Sequence, residues 1–439
     1  MKCIVTILCV AALFFNNCSK NEPSVSIEPP ATPTDVNILL VIADDIGIEA
    51  TPGYAIGAVK PNMPNLQSLA SRGITFDNAW AYPICSPTRA SIISGRYGYR
   101  TGVLNAENAS TIPASEITLQ AYLNDKTGDA YANAIVGKWH LSQGEPDRPA
   151  QMGIDYYAGL LNGATDDYNA WRFTDNGQNS QFSGYITTKI TNLAIDWIGQ
   201  QSKPWFCWVA YTAPHTPFHL PPDSMHSQGN LPSDSISVAA NPLPYFMAMT
   251  ESVDFELGRI LNSLPQEQFD NTVVIFIGDN GSNRQVIQSP YQTAQSKGSL
   301  YQGGVHVPLI VSGAGITRIN EREASLVCST DLFATIAELA GVSLSSYQDS
   351  YSFASLLDGS GATAREVNYV EVLGDNANSS GYAIRNAQYK LIQFDNNRQE
   401  FYDLSTDAYE QSDLLSGTLT SSQQVAFDAL IAEAAVIRN

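Results

Sequence analysis

The chain has 439 residues, of which 44% are hydrophobic and 10% aromatic, so it is long enough for two domains with a substantial core and does not have the composition of a disordered chain. Its 43 acidic and 23 basic residues give a formal net charge of −20. This charge argues against nucleic acid as a partner, because phosphate binding needs a basic surface.

The first residues predict an exported protein with a lipid anchor. Residues 1–17 join Lys2 to an apolar run from Cys3 to Phe15, which is too short to span a bilayer and is typical of a secretion signal. Cys18 and the Pro/Ser/Thr-rich stretch after it resemble the end of a bacterial lipoprotein signal, with residues 18–34 as a flexible tether. We predict lipidation of Cys18 and a location in the periplasm or at the cell surface, held at the outer membrane by the lipid alone; secretion without a lipid is the alternative.

Cysteine usage does not indicate a disulfide framework. Only Cys85, Cys207 and Cys328 lie beyond the predicted signal and anchor, and three is an odd and sparse set. Cys207 and Cys328 stand in apolar runs and are predicted to be small buried residues. Cys85 precedes Ser-Pro-Thr-Arg, and its neighbours alone leave open whether it is a buried residue, a metal ligand or a nucleophile.

Five apolar runs of strand length predict the core of the first domain. They are continuous rather than alternating, which favours strands buried on both faces of a parallel sheet. Helical patterns lie between them, at residues 65–71, 189–198, 245–264 and 331–339. The pattern predicts a doubly wound, mainly parallel α/β domain over residues 35–345. The predicted strands are residues 37–43, 132–137, 205–211, 272–278 and 306–311.

The sequence changes in character after Gly341. Ser/Gly/Asp-rich segments lead to shorter strand patterns at residues 367–373, 382–386 and 389–394, and a helical pattern covers residues 423–437. We predict a smaller domain over residues 346–439 that consists of an antiparallel sheet and a terminal helix.

Polar residues follow four of the predicted strands at their carboxyl ends. In an open parallel sheet these ends meet at one crevice, so separate segments would contribute to a single site. Carboxylate and amide oxygens are the ligands of Ca²⁺ or Mg²⁺ rather than of zinc, and three carboxylates brought together without a cation would repel one another. The sequence therefore predicts a metal site formed by Asp44, Asp45, Asp279 and Asn280.

Cations and imidazoles are predicted at the same edge of the sheet. Together with a metal ion they would stabilise a tetrahedral oxyanion and transfer protons. Two rival nucleotide or hydrolase motifs fail, because Gly137-Lys138 is not part of a Walker A loop and no G-x-S-x-G segment occurs. The residues of this group are Arg89, Lys138, His140, His215 and Lys297.

The segment Cys85-Ser86-Pro87-Thr88-Arg89 is the most specific motif in the chain. It looks like the C-x-P-S/T-R signature of the formylglycine-dependent sulfatases, which belong to the alkaline-phosphatase-like superfamily. Further segments resemble the family's other motifs in the same order, and the resemblance covers roughly residues 36–415. These segments are Asp44-Asp45 with Gly47, Gly137 to His140, Pro214 to Pro217, Gly278 to Gly281, and Lys297-Gly298.

The resemblance implies a chemistry for Cys85. A formylglycine-generating enzyme would oxidise it to formylglycine, one hydroxyl of the aldehyde hydrate would attack sulfur, and the other would collapse to expel sulfate. Ser86 is predicted to cap, and Pro87 to start, a short helix that ends at Gly95. By the family analogy, Arg89 would stabilise the diol alkoxide and His140 would contact the diol. Lys138 and Lys297 would bind sulfate oxygens, and His215 would protonate the leaving oxygen. Ca²⁺ would be bound by Asp44, Asp45, residue 85, Asp279 and Asn280.

A few positions depart from the family pattern. Gln302 and His306 stand where Glu and Arg are common after the Lys-Gly motif, so the surroundings of Lys297 are expected to differ. Ser94 replaces a commoner Thr, and Ser142 a usual Gly. None of these positions is among the proposed ligands or catalytic residues.

The predicted substrate is a sulfated saccharide or a small aryl sulfate. Residues 141–183 are expected to form loops over the site, where aromatic side chains could stack on a sugar or only stabilise the loops. A phosphate or phosphonate ester hydrolase of the same superfamily is one alternative, and a glycan-binding protein that keeps the Cys85 thiol is another. The predicted substrate contacts beyond Lys138, His215 and Lys297 are His219, Trp171 and Arg172.

Overall fold

The computed structural model describes residues 35–439, and a mixed ten-stranded sheet forms its centre. The strand order is β10-β2-β9-β8-β1-β7-β3-β4-β5-β6, and only β5 and β9 run antiparallel to the others. The strands are β1 (Asn37–Ala43), β2 (Gly73–Trp80), β3 (Ala132–Lys138), β4 (Tyr156–Leu160), β5 (Ala170–Asp175), β6 (Gln178–Ser183), β7 (Trp205–Ala210), β8 (Thr272–Gly278), β9 (Leu309–Gly313) and β10 (Glu321–Cys328).

Helices cover both faces of this sheet. Along β1, Ile38, Leu40 and Ile42 pack into one hydrophobic cluster, and Leu39 and Val41 into the other, so alternate side chains serve opposite layers. The helices are α1 (Pro64–Ser71), α2 (Cys85–Ser94), α3 (Gly98–Thr101), α4 (Leu119–Thr127), α5 (Arg148–Gln151), α6 (Ile186–Ile198), α7 (Ser235–Ala240), α8 (Pro242–Ser263), α9 (Gln266–Asp270), α10 (Gln302–Val305), α11 (Leu332–Leu339), α12 (Ala354–Asp358) and α13 (Ser421–Arg438).

A second, antiparallel sheet contains β13, β14, β15 and β16 in chain order. The side chains of Tyr369, Leu391 and Leu430 from this region share one hydrophobic cluster with two residues of the main sheet's β2 segment, Trp80 at the end of the strand and Tyr82 just beyond it. The remaining strands are the two-residue pair β11 (Ser346–Tyr347) and β12 (Ser350–Tyr351), followed by β13 (Asn368–Val372), β14 (Gly381–Arg385), β15 (Tyr389–Phe394) and β16 (Gln399–Asp403).

The predicted fold class, a mainly parallel α/β sheet with a smaller antiparallel sheet and a terminal helix, is confirmed. The predicted strand at residues 306–311 is shifted to Leu309–Gly313 and runs antiparallel to both neighbours. Pro308 has no N–H to donate, and it separates this strand from an isolated antiparallel bridge between His306 and Trp80. Strand β2 was not predicted, because Asp77 and Asn78 interrupt its apolar run.

A buried carboxylate joins the C-terminal helix to the second sheet. Glu371 on β13 is 3% exposed and accepts hydrogen bonds from the Tyr99 N–H at 2.7 Å and from the Tyr369 hydroxyl. The Arg438 guanidinium on α13 lies 3.4 Å from the same carboxylate. Burial raises the pKa of Glu371 to about 7, against an ordinary value of 4.5.

We expect this carboxyl to make stability depend on pH. Because its pKa is higher in the folded state, its stabilising contribution is complete below about pH 4.5 and is lost as the pH rises through about 7. Relative to the Glu371→Gln variant, the wild type should lose up to about 3 kcal/mol of unfolding free energy between about pH 5 and about pH 8. Urea unfolding at both pH values measures this, and the exposed Glu366→Gln serves as control. Equal slopes for wild type and Glu371→Gln would contradict the assignment.

Candidate active site

Five parallel strands direct polar segments to one edge of the main sheet. Strands β8, β1, β7 and β3 are consecutive neighbours, and Asp279, Asp44, His215 and Lys138 lie at or just beyond their carboxyl ends. Strand β2 runs in the same direction and leads into α2, which begins at Cys85. The convergence predicted from the sequence is therefore present, with one more strand than expected.

Cys85 is the first residue of α2 and is 1% exposed. The predicted cap at Ser86 is wrong, because Ile84 holds the cap position and the Ser86 hydroxyl instead donates to the His140 carbonyl at 2.9 Å. Pro87 accordingly lies at the third helical position rather than the first. Gly95 ends the helix as predicted, with a φ of 65° that suits glycine. Burial raises the pKa of the Cys85 thiol, an effect that the nearby Lys138 and Lys297 oppose.

The four predicted metal ligands are fully buried beside Cys85. The Asp45 N–H donates to Asp279 Oδ1 at 3.1 Å, and Asn280 Nδ2 donates to Asp45 Oδ1 at 2.8 Å. Asp45 has a φ of 69°, a left-handed conformation that Asp and Asn tolerate better than most residues. Burial and the neighbouring Asp44 raise the pKa of Asp279, whereas burial of Asp45 is outweighed by Lys297 and His215, which hold its pKa below the ordinary value.

Three oxygen atoms in this cluster suit a bound cation. Asp44 Oδ1, Asp45 Oδ2 and Asn280 Oδ1 are buried and have no hydrogen-bond partner among the described residues. Ligand atoms of Asp44, Cys85 and Asp279 lie within 4.8 Å of one another. Buried polar atoms without partners are costly, and hard oxygen donors are what Ca²⁺ and Mg²⁺ bind, so these residues could hold a metal ion.

Three cations surround the carboxylates. The Arg89 guanidinium donates to Asp279 Oδ2 and to the Lys138 carbonyl, both at 2.8 Å, so it holds a carboxylate in place. Lys138 Nζ contacts Asp44 Oδ2, and Lys297 Nζ lies 2.5 Å from Asp45 Oδ1. Burial lowers the pKa of Lys297, but the carboxylate of Asp45 more than reverses this and leaves the pKa raised. The raised pKa keeps the side chain of Lys297 cationic beside this carboxylate.

His140 faces the thiol of Cys85. Its Nδ1 lies 3.2 Å from Cys85 Sγ, and its Nε2 lies 3.1 Å from the Ala106 carbonyl. Because a carbonyl only accepts, Nε2 carries the proton and Nδ1 presents a lone pair to residue 85. Burial, with the positive charges of Lys138 and Arg89, lowers the pKa of His140 well below its ordinary value, which keeps the ring neutral.

His215 lies beside the carboxylates of Asp44 and Asp45. Its Nδ1 is 2.7 Å from the Thr216 carbonyl, so Nδ1 is the donor, and Nε2 is directed towards Asp45 Oδ2 at 3.9 Å. Burial lowers the pKa of His215, and Asp45 opposes that shift. The ring can thus take up and release a proton at Nε2 beside the site.

Gly163 packs against the His140 ring. A Cβ added at this position would lie 2.2 Å from His140 Cε1 and 2.3 Å from Nε2, closer than real Cβ contacts. We expect Gly163→Ala to displace the ring from residue 85 and to lower kcat by about 10- to 100-fold while Tm changes little. The matched control is Gly417→Ala, whose nearest neighbour would be 3.9 Å away. Activity assays with thermal unfolding test this, and unchanged kcat in Gly163→Ala would show that the ring position does not matter.

The outer residues predicted to contact substrate differ in position. Trp171 is 2% exposed, its Nε1 donates to the Gly184 carbonyl, and it packs on Phe173 and Phe182, so the structure places it in the core instead of at a substrate surface. Arg172 follows it on β5 and is exposed.

His219 lies near the segment that carries His215. The centroid of its ring lies 4.2 Å from that of the Tyr168 ring. The Tyr168 hydroxyl donates to the His215 carbonyl at 2.6 Å. Burial lowers the pKa of His219. Its ring nitrogens lie 3.1 Å from the Pro217 carbonyl and 3.2 Å from the Tyr185 hydroxyl, so it supports the segment that carries His215.

Gln302 and His306, which depart from the family pattern, contact strand β2 of the main sheet. Gln302 Oε1 accepts from Trp80 Nε1 at 2.9 Å, and His306 Nε2 lies 2.8 Å from the Asp77 carbonyl. Burial lowers the pKa of His306 to about 3, so it is a neutral structural histidine.

The sequence did not single out two further residues that support the site. The Thr88 hydroxyl donates to the Asp279 carbonyl at 2.6 Å and accepts from the Tyr82 N–H at 2.9 Å. Ser282 Oγ accepts from the Gly47 N–H at 3.0 Å and so ties the two ligand-bearing loops together. Both residues lie inside or beside the recognised motifs, and this position in the sequence could have identified them.

Family comparisons agree with this geometry. Residues 36–342 match the family described as Sulfatase, and residues 295–433 match the family described as N-sulphoglucosamine sulphohydrolase, C-terminal. Among solved structures, Ps i-CgsB has a TM-score of 0.77 at 23% identity, with 92% of this chain and 93% of that chain covered. BT4656 in complex with its substrate D-glucosamine-2-N,6-O-disulfate has a TM-score of 0.73 at 21% identity, with 92% and 98% covered. At these identities the likeness concerns the fold.

Curated relatives carry the same family name. The uncharacterized sulfatase YdeN of Escherichia coli is 30% identical over 66% of this chain and 55% of its own length. The human N-acetylgalactosamine-6-sulfatase is 30% identical over 71% of this chain and 63% of its own length, so the chain spans little more than half to just under two-thirds of these two proteins. A sulfatase of Formosa agariphila is 27% identical over 87% of this chain and 84% of its own length. The chain therefore belongs to the sulfatase family.

Proposed function

We propose that this protein hydrolyses a sulfate ester of a saccharide and releases inorganic sulfate. The observation that carries the proposal is the group of three buried oxygens without partners, Asp44 Oδ1, Asp45 Oδ2 and Asn280 Oδ1, beside Cys85. A hard cation bound to them would supply positive charge for anionic oxygens of the nucleophile and the substrate, and Ca²⁺, with its tolerance of irregular oxygen sites, fits better than Mg²⁺.

Cys85 is proposed as the precursor of formylglycine, whose hydrate supplies an oxygen nucleophile. A thiol with a raised pKa, buried among carboxylates, is a poor nucleophile in its own right. Its place at the first residue of α2 favours an anionic oxygen there, because the helix N-terminus is electropositive. The lone pair on His140 Nδ1, 3.2 Å from Sγ, is placed to accept the proton of a hydroxyl at residue 85.

The remaining cations and His215 are proposed to act on the substrate. Lys138 and Lys297 would bind sulfate oxygens and stabilise the charge that builds up on them. His215 Nε2 would donate a proton to the departing alcohol oxygen, which a saccharide leaving group needs more than an acidic phenol does. Arg89 would act through Asp279, because it already donates to that carboxylate at 2.8 Å.

A phosphate or phosphonate ester hydrolase is the nearest rival, since the same cations could stabilise a phosphoryl group. Rates on an aryl sulfate and the matching aryl phosphate separate the two readings. We expect kcat/KM to favour the sulfate by at least about 100-fold. A preference for the phosphate would overturn the proposal.

Maturation of Cys85 is tested directly by mass spectrometry. Peptides spanning residues 82–96, from protein produced in a host with a formylglycine-generating enzyme, should carry an aldehyde at residue 85. Unmodified thiol throughout, in protein that also lacks sulfatase activity, would favour the rival hypothesis of a catalytically silent glycan-binding protein.

The saccharide class is supported by what related proteins are named for. The human relative is an N-acetylgalactosamine-6-sulfatase, and solved structures of the same fold hold D-glucosamine-2-N,6-O-disulfate or k-i-k-neocarrahexaose. Exposed Arg172 and partly exposed His219 are the proposed contacts with the sugar beyond the sulfate. Assays on a panel of sulfated mono- and oligosaccharides test this class against simple aryl sulfates.

Export and lipid anchoring are proposed for the whole protein. The predicted signal and Cys18 lie outside the described residues, and within residues 35–439 none of the helices has the length and hydrophobicity needed to cross a membrane. A location at the outer membrane would suit an enzyme that takes sulfated saccharides from outside the cell. Metabolic labelling with a fatty acid, compared between wild type and Cys18→Ala, tests the anchor.

A further inference from the structure

The ammonium group of Lys60 lies in a cage of backbone carbonyls. Its Nζ is 3.0 Å from the Ile48 carbonyl oxygen, 2.9 Å from that of Glu49, 2.8 Å from that of Thr51 and 2.6 Å from that of Ile56. All four oxygens come from the loop that follows Asp44 and Asp45.

The hydrogen-bond acceptors of this cage are carbonyls, and the buried carboxylate of Glu49, whose two oxygens have no hydrogen-bond partner among the described residues, interacts with Lys60 only electrostatically. Lys138, Lys297 and Lys390 each pair with a buried carboxylate, and Lys203 contacts a single carbonyl, that of Asp129 at 2.6 Å. An ammonium has three N–H donors, whereas the cage of Lys60 offers four oxygens. Several neutral carbonyls directed at one positive charge are how proteins replace the water shell of a monovalent cation. The ammonium group of Lys60 therefore lies in a set of carbonyl oxygens that could also bind a small monovalent cation.

The cage is tied to the proposed metal site. Gln288 Nε2 donates to the carbonyls of Glu49 and Val59 at 3.2 and 2.9 Å, and its Oε1 accepts from the Val59 N–H at 2.8 Å. Gln288 belongs to the loop after Asp279 and Asn280, which Ser282 also links to Gly47. The caged ammonium thus lies where the two loops that follow the proposed ligand pairs meet.

The turn between Asp45 and the cage is compact. The Thr51 hydroxyl and the Ala50 N–H donate to the Gly47 carbonyl at 3.0 and 3.2 Å, and the Thr51 N–H donates to the Ile48 carbonyl at 3.2 Å. Without a cation in the cage, its carbonyl oxygens would repel one another and strain this turn. The turn begins two residues after Asp45, which has a φ of 69°. Filling the cage would therefore hold the backbone of Asp45.

We propose that these four carbonyls form a monovalent-cation site for which Lys60 supplies a tethered cation, and that its occupancy positions Asp45 for metal binding. The second part rests on the proposed function, because it needs a metal at Asp45. Lys60 is a positioning residue in this scheme and does not touch the substrate. Removing its side chain leaves a site that NH₄⁺ or K⁺ can fill from solution.

The test uses Lys60→Ala in the full chain, with Lys203→Ala as the matched control because Lys203 contacts one carbonyl at the surface. In choline chloride, we expect Lys60→Ala to show a lower Tm than wild type and about 10-fold weaker Ca²⁺ binding by calorimetry. Ammonium or potassium chloride at the same ionic strength, about 0.1 M, should restore both quantities. Lys203→Ala and wild type should respond equally to all three salts.

The outcomes separate the cage from the metal site. Restoration of Tm by NH₄⁺ or K⁺ but not choline, measured without Ca²⁺, supports the cation site even if the protein proves not to bind Ca²⁺. Loss of Tm with no difference among salts would overturn the cation site. If NH₄⁺ or K⁺ restored the Tm of Lys60→Ala but its Ca²⁺ affinity equalled that of wild type in all three salts, the proposed role in positioning Asp45 would be overturned. If the alanine variant is too unstable to purify, Lys60→Met, which keeps most of the apolar stem, provides the same comparison. A variant that is soluble only in NH₄⁺ or K⁺ would support the cation site.

Discussion

Replacing Cys85 with alanine is expected to abolish sulfate ester hydrolysis, with kcat reduced by at least about 10³-fold. The reason is chemical rather than structural. Residue 85 is the only candidate nucleophile that lies at a helix N-terminus, 3.2 Å from a neutral imidazole nitrogen and within 4.8 Å of two carboxylates among the described residues. Alanine fits the same buried space and preserves α2, so the fold should survive.

The control for this variant is Cys207→Ala. Cys207 is also a fully buried thiol, but it lies within β7, where burial raises its pKa and its neighbours are apolar. Loss of its sulfur should cost about 1 kcal/mol of stability and leave kcat unchanged. Steady-state assays and thermal unfolding on both variants decide the matter. More than about a tenth of wild-type kcat in Cys85→Ala would contradict a nucleophile at this position.

The parts of the fold that the sequence predicted well are those with continuous apolar runs. Strands β1 and β8 were predicted at their observed bounds, because every residue of both is buried and nothing polar interrupts them. The hairpin of β5 and β6 was not predicted as strands. Residues 178–183 of β6 are almost all exposed and polar, so the edge of the sheet carries little hydrophobic signal.

The site was predictable as a set of residues but not as a network. Strand ends identified Asp44, Asp279 and Lys138, since parallel topology brings carboxyl ends together whatever the details of the loops. The partner of each group depended on side-chain geometry that the sequence does not contain. The hydrogen bond from Arg89 to Asp279 was not predicted. Trp171 was predicted to contact the substrate and instead lies in the core. An aromatic residue in a loop-rich region has the same sequence signature in either role.

The strongest test of the metal site is Asp45→Asn. Asn tolerates positive φ as Asp does and has nearly the same shape, so at a φ of 69° this substitution removes a charge and little else. The lost charge is the partner of Lys297 at 2.5 Å and one of the proposed ligand oxygens. Because one unit of charge at about 4 Å is worth about 4 kcal/mol at an effective dielectric constant of about 20, we expect Ca²⁺ affinity to fall by at least about 100-fold.

Activity should fall in parallel, and excess Ca²⁺ should recover part of it, which distinguishes weaker metal binding from a direct loss of chemistry. Calorimetric titration of chelator-stripped protein with Ca²⁺, and separately with Mg²⁺, gives the affinity and tests the preference for Ca²⁺. Asp129→Asn is the matched control, because Asp129 also has a left-handed backbone, with a φ of 59°, but is exposed and lies outside the cluster. If Asp45→Asn bound Ca²⁺ as tightly as Asp129→Asn does, Asp45 could not be a ligand, and the three oxygens without partners would need another explanation.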